Sequence, residues 1–279
     1  MYDESCVHVV MFPSAGMGHL TPFLRLASLL LNNHCKLTLI TPLPTVSHAE
    51  SHLLSHFHSS FPQLNLLPFH LPPLSSPPPT SVDPFFHRVQ TLCHSTHLLP
   101  PLISSLSPPI SIFISDIFLV TPLVSITQKL SLPNYTLFTS SAAMLSFLSH
   151  FPTIAHSKSD DDDAPEISFP VPGLPFSPLP YSYIPPILFQ PTAIFRNQII
   201  EDSPNLSKLH GIFVNTFVVF GFEILVQGNY RDESRTRSLS LRRFAVLPKY
   251  AKQSIYDDAS RIKQPVQNYD YQLHTDKSL

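Results

Sequence analysis

Charged residues are scarce in this sequence, since Asp, Glu, Lys and Arg make up only 13% of its 279 residues. A soluble domain usually carries about 25% charged residues. Because 43% of the residues are apolar, the chain can enclose a sizeable core, and a disordered, highly charged chain is excluded. The 17 basic and 19 acidic residues leave a formal net charge of −2. No nucleic-acid partner is expected, because binding to nucleic acid needs a basic face.

Cysteine, tryptophan and glycine are rare as well. The three cysteines, Cys6, Cys35 and Cys93, have no short spacing between them, which excludes a disulfide framework or a thiolate zinc site and is typical of a reducing compartment. Residues 1–5 are acidic where a secretory signal is basic, so a cytoplasmic location is predicted. The chain has no tryptophan, and its 31 prolines against 6 glycines predict stiff, extended loops.

One apolar stretch, residues 110–130, has the length of a membrane span. It contains Asp116 and Pro122, and a carboxylate in the hydrocarbon region is unfavourable. A buried strand followed by a helix is therefore the preferred interpretation, and no stable membrane insertion is expected.

Strand-like and helix-like segments alternate along the first 215 residues. Short apolar runs rich in β-formers occur at 7–12, 36–40, 64–69, 111–115, 135–138 and 211–214, and the helical segments are 20–32, 47–58, 83–105, 118–130, 141–151 and 192–208. This alternation predicts a Rossmann-like, doubly wound parallel sheet of the α/β class. Ligands bind such sheets at the carboxyl ends of the strands. Residues 14–19, Asp116 and Thr139 fall at those ends.

Two proline-rich segments, 72–79 and 160–191, are predicted to be extended loops. The second begins with four aspartates, 160–163, for which a solvated loop is preferred over a cation site because no oxygen-ligand spacing surrounds them. Residues 228–279 hold 10 of the 17 basic residues and little apolar periodicity. One domain over residues 1–225, followed by a poorly ordered, irregular tail over 226–279, is therefore predicted.

The first loop between a strand and a helix contains two glycines, Gly16 and Gly18. A dinucleotide-binding fingerprint would have a third glycine where Thr21 stands and an acid where Thr41 and Pro42 end the second strand. A nicotinamide-dependent enzyme is therefore disfavoured. A second pattern, three histidines at 48, 52 and 56, has metal-like spacing, but no carboxylate or cysteine completes it. A polar helix face is preferred there, and no metal is expected.

His19 and Asp116 are the strongest candidates for chemistry. His19 lies at a helix start, where the positive end of the dipole disfavours the imidazolium, so a neutral imidazole able to act as a general base is predicted. Asp116 follows a buried strand, and a buried carboxylate needs a partner. A His–Asp pair is one interpretation; a structural histidine with a helix-capping aspartate is the other. The sequence contains no G-x-S-x-G nucleophile elbow.

Several motifs resemble plant family-one UDP-sugar glycosyltransferases, with the flavonoid C-glycosyltransferase branch as the nearest resemblance. The first of them is Val9-Val10-Met11-Phe12-Pro13-Ser14-Ala15-Gly16-Met17-Gly18-His19-Leu20-Thr21-Pro22-Phe23. The others, in the family's order, are Leu39-Ile40-Thr41-Pro42, Asp83-Pro84-Phe85-Phe86, Ile114-Ser115-Asp116-Ile117-Phe118, Leu137-Phe138-Thr139-Ser140-Ser141-Ala142 and Gly211-Ile212-Phe213-Val214-Asn215-Thr216-Phe217. The resemblance covers residues 6–217.

The resemblance implies the N-terminal, acceptor-binding domain of a GT-B fold. It implies inverting transfer of a sugar, expected to be glucose, from a UDP-sugar to a phenolic or flavonoid acceptor. His19 would be the base and Asp116 its orienting partner. Gly18 and Thr139 would lie against the donor, and Phe85 and Phe118 would line the acceptor pocket. The UDP-sugar is a co-substrate, and no further cofactor or metal is implied.

The sequence also departs from the family. Its members are about twice as long, and their UDP-sugar box begins with tryptophan, which this chain lacks. The UDP-sugar-binding C-terminal domain is therefore expected to be absent, and the tail is interpreted as a truncated, misspliced or frame-shifted end. Two functions remain open: a UDP-glycosyltransferase, or a catalytically inactive acceptor-binding fragment.

Overall fold

The computed structural model of the protein describes residues 7–45, 47–72, 84–156, 168–169, 171, 179–180 and 184–215. Three sequence predictions lie outside these residues. They are the aspartate run 160–163, Asp83 at the start of the helix predicted over 83–105, and the tail 226–279. Most of the proline-rich segment 72–79 lies outside them too.

A parallel sheet forms the centre of the described structure. Its strands are β1 (His8–Phe12), β2 (Lys36–Leu43), β3 (Asn65–His70), β4 (Ile112–Asp116), β5 (Asn134–Phe138) and, after a separate short antiparallel pair β6 (Ser168–Phe169) and β7 (Leu179–Pro180), β8 (Gly211–Val214). The order across the six-stranded sheet is β3-β2-β1-β4-β5-β8, and every neighbouring pair is parallel. The predicted doubly wound α/β fold is confirmed.

Helices connect these strands. They are α1 (Met17–Asn32), α2 (His48–Ser60), α3 (Pro84–Ser95), α4 (Leu99–Ser104), α5 (Val120–Lys129), α6 (Ala142–His156) and α7 (Ile194–Asn205). Short 3₁₀ turns occupy Thr96–Leu98, Ile117–Leu119, Pro186–Phe189 and Leu206–Lys208. The stretch 110–130 forms β4 and α5, as the strand-then-helix interpretation predicted. Among the described residues, none of the helices combines the length and the apolar character needed to cross a bilayer.

Two of the boundaries that differ from the sequence prediction concern the helix predicted over 83–105 and strand β2. The helix predicted over 83–105 is interrupted by the 3₁₀ turn and restarts as α4, because Pro100 and Pro101 lack the N–H groups that a continuous helix needs but are tolerated in a first turn. Strand β2 was predicted to close at Thr41-Pro42. It continues to Leu43, because its pairing with β3 runs on to a Leu43–His70 register pair.

Strand β1 is buried in the centre of the sheet. All five residues of β1 are buried. Val9 and Met11 pack into one apolar cluster, and Val10 and Phe12 pack into a second one. Because side chains of a strand alternate between the two faces, β1 is covered on both sides. The loop that follows β1 therefore leaves a fixed point in the core.

Candidate active site

His19 and Asp116 meet at the carboxyl edge of the sheet. Asp116 is the last residue of β4, which pairs directly with β1, and His19 lies in the first turn of the helix that follows β1. Their side chains are in contact, with Nδ1 of His19 2.7 Å from Oδ2 of Asp116. Neighbouring parallel strands thus bring together two side chains that are 97 residues apart in the chain.

The loop before His19 folds into the helix earlier than the sequence predicted. Helix α1 begins at Met17 rather than Leu20, because the carbonyl of Gly16 accepts hydrogen bonds from the N–H groups of His19 and Leu20 at 3.1 and 3.0 Å. Gly16 has φ 91° and ψ 149°, a conformation available essentially to glycine alone. The side chain of His19 therefore starts from a defined helical turn.

Asp116 is completely buried, and both of its carboxylate oxygens are used. Oδ1 accepts the N–H of Phe118 at 3.0 Å and so begins the 3₁₀ turn after β4, while Oδ2 faces His19. Asp116 therefore caps a helical turn and pairs with the histidine at the same time; the two sequence interpretations are not exclusive. Because an ionised carboxylate only accepts hydrogen bonds, Nδ1 of His19 carries the proton and Nε2 is left with a lone pair.

Two opposing influences act on the pKa of His19. Burial lowers it, but the negative charge of Asp116 and the hydrogen bond to that carboxylate raise it, and the net result is a pKa above the ordinary 6.5. The sequence argument from the helix dipole predicted a disfavoured imidazolium. That prediction was wrong, because a carboxylate at 2.7 Å outweighs the partial charge of a helix end.

Aromatic rings surround the imidazole of His19. The ring of Phe85 stacks on it at 5.4 Å between centroids and 28° between planes, and the ring of Phe118 lies at 5.3 Å and 46°. Phe85 and Phe118 also touch each other edge to face at 5.8 Å. The structure therefore brings the two predicted acceptor residues into direct contact with the predicted base. Their role toward an acceptor stays a prediction.

The two predicted donor residues also lie at this edge. The hydroxyl oxygen of Thr139, in the loop after β5, is 3.4 Å from Nδ1 of His19. Gly18 precedes His19 in the first turn of α1 and is exposed, and a Cβ added to it would meet no atom of the described residues within 4 Å. All of the predicted site residues therefore converge on one edge, while the donor roles of Gly18 and Thr139 stay predictions.

Two further aromatic residues belong to the same cluster and were not predicted to line the site. Phe86 contacts Phe85 and Phe118, and Phe195 of α7 stacks on Phe86 at 5.0 Å and contacts Phe118 at 6.0 Å. Phe86 could have been found, because it is part of the motif that contains Phe85. Phe195 could not, because only the packing of α7 reveals that it reaches the cluster.

Helix α7 also fixes the segment that carries Phe118. The buried carboxylate of Asp202 accepts hydrogen bonds from the backbone N–H of Thr121 at 3.0 Å and from the side chain of Gln198 at 2.7 Å. The Gln198 amide in turn lies 3.4 Å from the carbonyl oxygen of Phe118. Burial raises the pKa of Asp202 to about 6. This network anchors the start of α5 next to Asp116.

Of the two cysteines that the structure describes, Cys93 contacts the site and is unsuited to nucleophilic chemistry. Cys93 donates its S–H to the carbonyl oxygen of Phe118 at 3.3 Å. Burial, followed by the charges of Asp202, Glu201 and Asp116, raises its pKa to about 12. The thiol is therefore protonated at neutral pH, and only a thiolate is an effective nucleophile.

A small cavity lies at this same edge beside the loop after β1, lined in part by Ser14, Glu50 and Arg88. A cavity of about 220 Å³ lies at the opposite, amino end of β5, lined in part by Thr127, Asn134 and His210. Within the described ranges, no group of three or more His, Cys, Asp or Glu side chains is arranged to hold a metal ion. The arrangement suited to proton transfer is the His19–Asp116 pair.

The chain is similar in sequence to plant UDP-glycosyltransferases. It is 46% identical over 221 residues to UDP-glycosyltransferase 708D1 of Glycine max, covering 77% of this chain and 46% of that protein. It is 42% identical over 231 residues to UDP-glycosyltransferase 708G2 of Citrus unshiu, covering 82% and 48%. UDP-glycosyltransferase CGT of Oryza sativa subsp. japonica is 39% identical over 211 residues. The chain spans about half the length of the curated relatives it matches. No protein-family model matches the chain.

Solved structures give the same result. The structure of LpCGTa in complex with UDP matches with a TM-score of 0.68 and 40% identity, over 76% of this chain and 48% of that one. Apo UGT2 of Phytolacca americana matches with a TM-score of 0.63 and 27% identity, over 76% and 46%. These matches and the parallel sheet confirm the resemblance drawn from the motifs. The chain is a homologue of the plant UDP-glycosyltransferases and contains the N-terminal domain of their GT-B fold.

Proposed function

We propose that this domain binds a phenolic acceptor against the rings of Phe85 and Phe118 and holds its hydroxyl at Nε2 of His19. The protein would then take part in inverting transfer of a sugar, with glucose as the expected one, from a UDP-sugar to that acceptor. The 2.7 Å contact between His19 and Asp116 is the observation that carries the proposal. It is the arrangement that leaves one imidazole nitrogen available as a base.

The proton transfer follows from the tautomer. Nδ1–H of His19 donates to Asp116, so the lone pair on Nε2 accepts the phenolic proton, and Asp116 stabilises the imidazolium that results. The phenolate oxygen, or the ring carbon it activates, attacks the anomeric carbon of the sugar. The bond from that carbon to the UDP oxygen breaks, and UDP leaves with the electron pair. When a ring carbon attacks, its hydrogen is transferred afterwards to water as a proton, which restores aromaticity.

The aromatic cluster supports a flat acceptor. The rings of Phe85, Phe86, Phe118 and Phe195 lie in contact with one another next to His19. Stacked and edge-to-face contacts favour a planar aromatic ligand. A neutral phenol also suits a site with one base, because it supplies the proton that the base removes.

The proposal that a UDP-sugar is the donor is supported by the similar proteins. Several of the similar proteins carry UDP-glycosyltransferase in their names, and the LpCGTa structure contains UDP. We infer that a UDP-sugar is the co-substrate and that no metal ion or further cofactor is needed. Thr139 is proposed to face the sugar or its phosphate, since its hydroxyl lies beside the imidazole.

The test uses the 279-residue protein with UDP-glucose and phloretin or a 2-hydroxyflavanone. Chromatography and mass spectrometry follow the glucoside, and calorimetry measures binding of each ligand. We expect the phenol to bind to the wild type and more weakly to His19→Ala. A glucoside formed by the wild type and lost in His19→Ala supports the transferase.

Two results separate the remaining possibilities. Phenol binding without product and without UDP-glucose binding identifies an acceptor-binding domain that does not catalyse transfer by itself. Phenol binding that is equal in the wild type and in His19→Ala contradicts the proposed site. A matched control is His52→Ala, since His52 is exposed on α2.

A further inference from the structure

Helix α2 buries a carboxylate beside the apolar side chains, Leu53, Leu54 and Phe57, that it packs against the core. Its only fully buried residue is Glu50, whose relative exposure is 5%. A carboxylate in such a position is unfavourable unless it is hydrogen-bonded or paired. Oε1 of Glu50 accepts the backbone N–H of Gly16 at 2.5 Å. The charge of Glu50 also acts on Arg88 of α3, where it opposes the lowering of the Arg88 pKa by burial.

Gly16 connects this carboxylate to His19. The N–H of Gly16 is held by Glu50, and its carbonyl oxygen holds the N–H groups of His19 and Leu20. The φ of 91° places Gly16 in a region that only glycine adopts readily. A Cβ at Gly16 would lie 3.5 Å from the ring of Phe85, which itself stacks on His19. Gly16, whose backbone is flexible, is thus fixed directly before the first turn of α1, which carries His19.

We propose that Glu50 is a positioning residue for His19, acting through the peptide N–H of Gly16. The inference rests on the proposed role of His19 as the base. With the N–H of Gly16 held, the first turn of α1 keeps one orientation, and Nδ1 of His19 stays at 2.7 Å from Asp116. Without that hydrogen bond, the glycine peptide can rotate, the turn loosens, and the imidazole leaves the carboxylate. A displacement of about 1 Å at a catalytic group lowers a rate on the order of 100-fold.

Two conservative variants separate the effect of the side-chain length of Glu50 from the effect of its charge. Glu50→Gln keeps an oxygen at the same distance but removes the charge, whereas Glu50→Asp keeps the charge but is one methylene shorter. Ser55→Ala is the control, since Ser55 is an exposed residue of the same helix. The readouts are the NMR titration of the His19 ring, the dissociation constant for phloretin and the thermal unfolding midpoint. The His19 signal is assigned by its loss in His19→Gln.

We expect the midpoint of the His19 titration to fall toward 6.5 in Glu50→Asp, because the imidazole loses its contact with Asp116. Phloretin binding should weaken about tenfold, which corresponds to about 1.4 kcal/mol. Glu50→Gln and Ser55→Ala should keep both values near the wild type.

The reverse pattern, an effect in Glu50→Gln and none in Glu50→Asp, would show a direct charge effect and overturn the positioning role. A lower thermal midpoint with an unchanged His19 titration in Glu50→Asp would also overturn it, because Glu50 would then only stabilise the fold. The titration needs no ligand. A wild type that binds no phenol therefore contradicts the proposed function without deciding the role of Glu50.

Discussion

Replacing Asp116 by asparagine tests the central pair with almost no change of shape. The carboxylate of Asp116 accepts from Phe118 N–H and from His19 Nδ1–H. In Asp116→Asn the amide oxygen can still accept from Phe118. The amide NH₂ then faces Nδ1 of His19 and donates to it. The ring proton moves to Nε2, so the lone pair no longer points toward the acceptor.

The size of the effect follows from these two hydrogen bonds. A hydrogen bond to a charged group contributes about 1.5–3 kcal/mol to stability and a neutral one about 1 kcal/mol. Asp116→Asn turns both bonds into neutral ones, so the free energy of unfolding should fall by about 2 kcal/mol. The same type of substitution in a Ser–His–Asp triad lowers kcat about 10⁴-fold through the wrong tautomer. A comparable loss, on the order of 10³ to 10⁴, is expected for sugar transfer.

Three measurements follow the variant. Nitrogen-15 NMR of the His19 ring reports which nitrogen carries the proton, and the same samples give the pKa. Urea unfolding gives the stability, and glucoside formation gives the rate. The pKa of His19 should fall below 6.5, because the charge and hydrogen bond of Asp116 are lost while burial remains.

A variant that keeps the Nδ1–H tautomer and a pKa above 6.5 would refute this reasoning. Asp116→Ala is the companion variant. It removes both hydrogen bonds and should lose more stability than Asp116→Asn. An alanine variant that is the more stable of the two would show that the carboxylate is not held as described.

Three further predictions concern stability. Burial lowers the pKa of His8, so the unfolded chain binds the proton first. The wild type should therefore lose stability relative to His8→Asn as the pH falls below 6.5, by at most about 1.4 kcal/mol per pH unit. Urea unfolding at pH 7.5 and 5.5 measures the difference, and an equal pH dependence of the two proteins would contradict the prediction. Burial raises the pKa of Asp202 from 3.8 to about 6, so the folded state binds the proton first. The wild type should therefore gain stability relative to Asp202→Asn as the pH falls from about 6 toward 4. The same urea measurements test this, and a loss of stability over that range would show that the pKa of Asp202 is not raised. Gly16→Ala should lower the free energy of unfolding by about 1–3 kcal/mol, because φ 91° is strained for alanine, and a thermal midpoint equal to that of the wild type would disprove the strain.

The centre of the sheet was predictable because inner strands such as β1 and β4 are covered on both faces. A run such as Val9 to Phe12 is apolar at every position, and only a central parallel strand explains an unbroken run of that kind in an alternating chain. The order of the strands did not follow from periodicity. The order depends on which side of the sheet each crossover helix packs, and the hydrophobic pattern within one segment does not reveal that.

The pairing of His19 with Asp116 could be inferred because both lie at strand ends that share one edge. The direction of the His19 pKa could not, because it depends on a distance between side chains rather than on the position in a helix. Glu50 escaped notice for a similar reason. It sits on a helix among histidines and serines, and only the folded chain shows its oxygen against Gly16.

The empty space around Gly18 makes that position a probe of substrates rather than of folding. Among the residues that the structure describes, none stands where a methyl group would go, and within a helix alanine is favoured over glycine by about 1 kcal/mol. Gly18→Ala should therefore leave the stability of the ligand-free domain unchanged or slightly raised. A loss of affinity for phenol or UDP-glucose in this variant would therefore report how closely that molecule approaches the backbone beside His19.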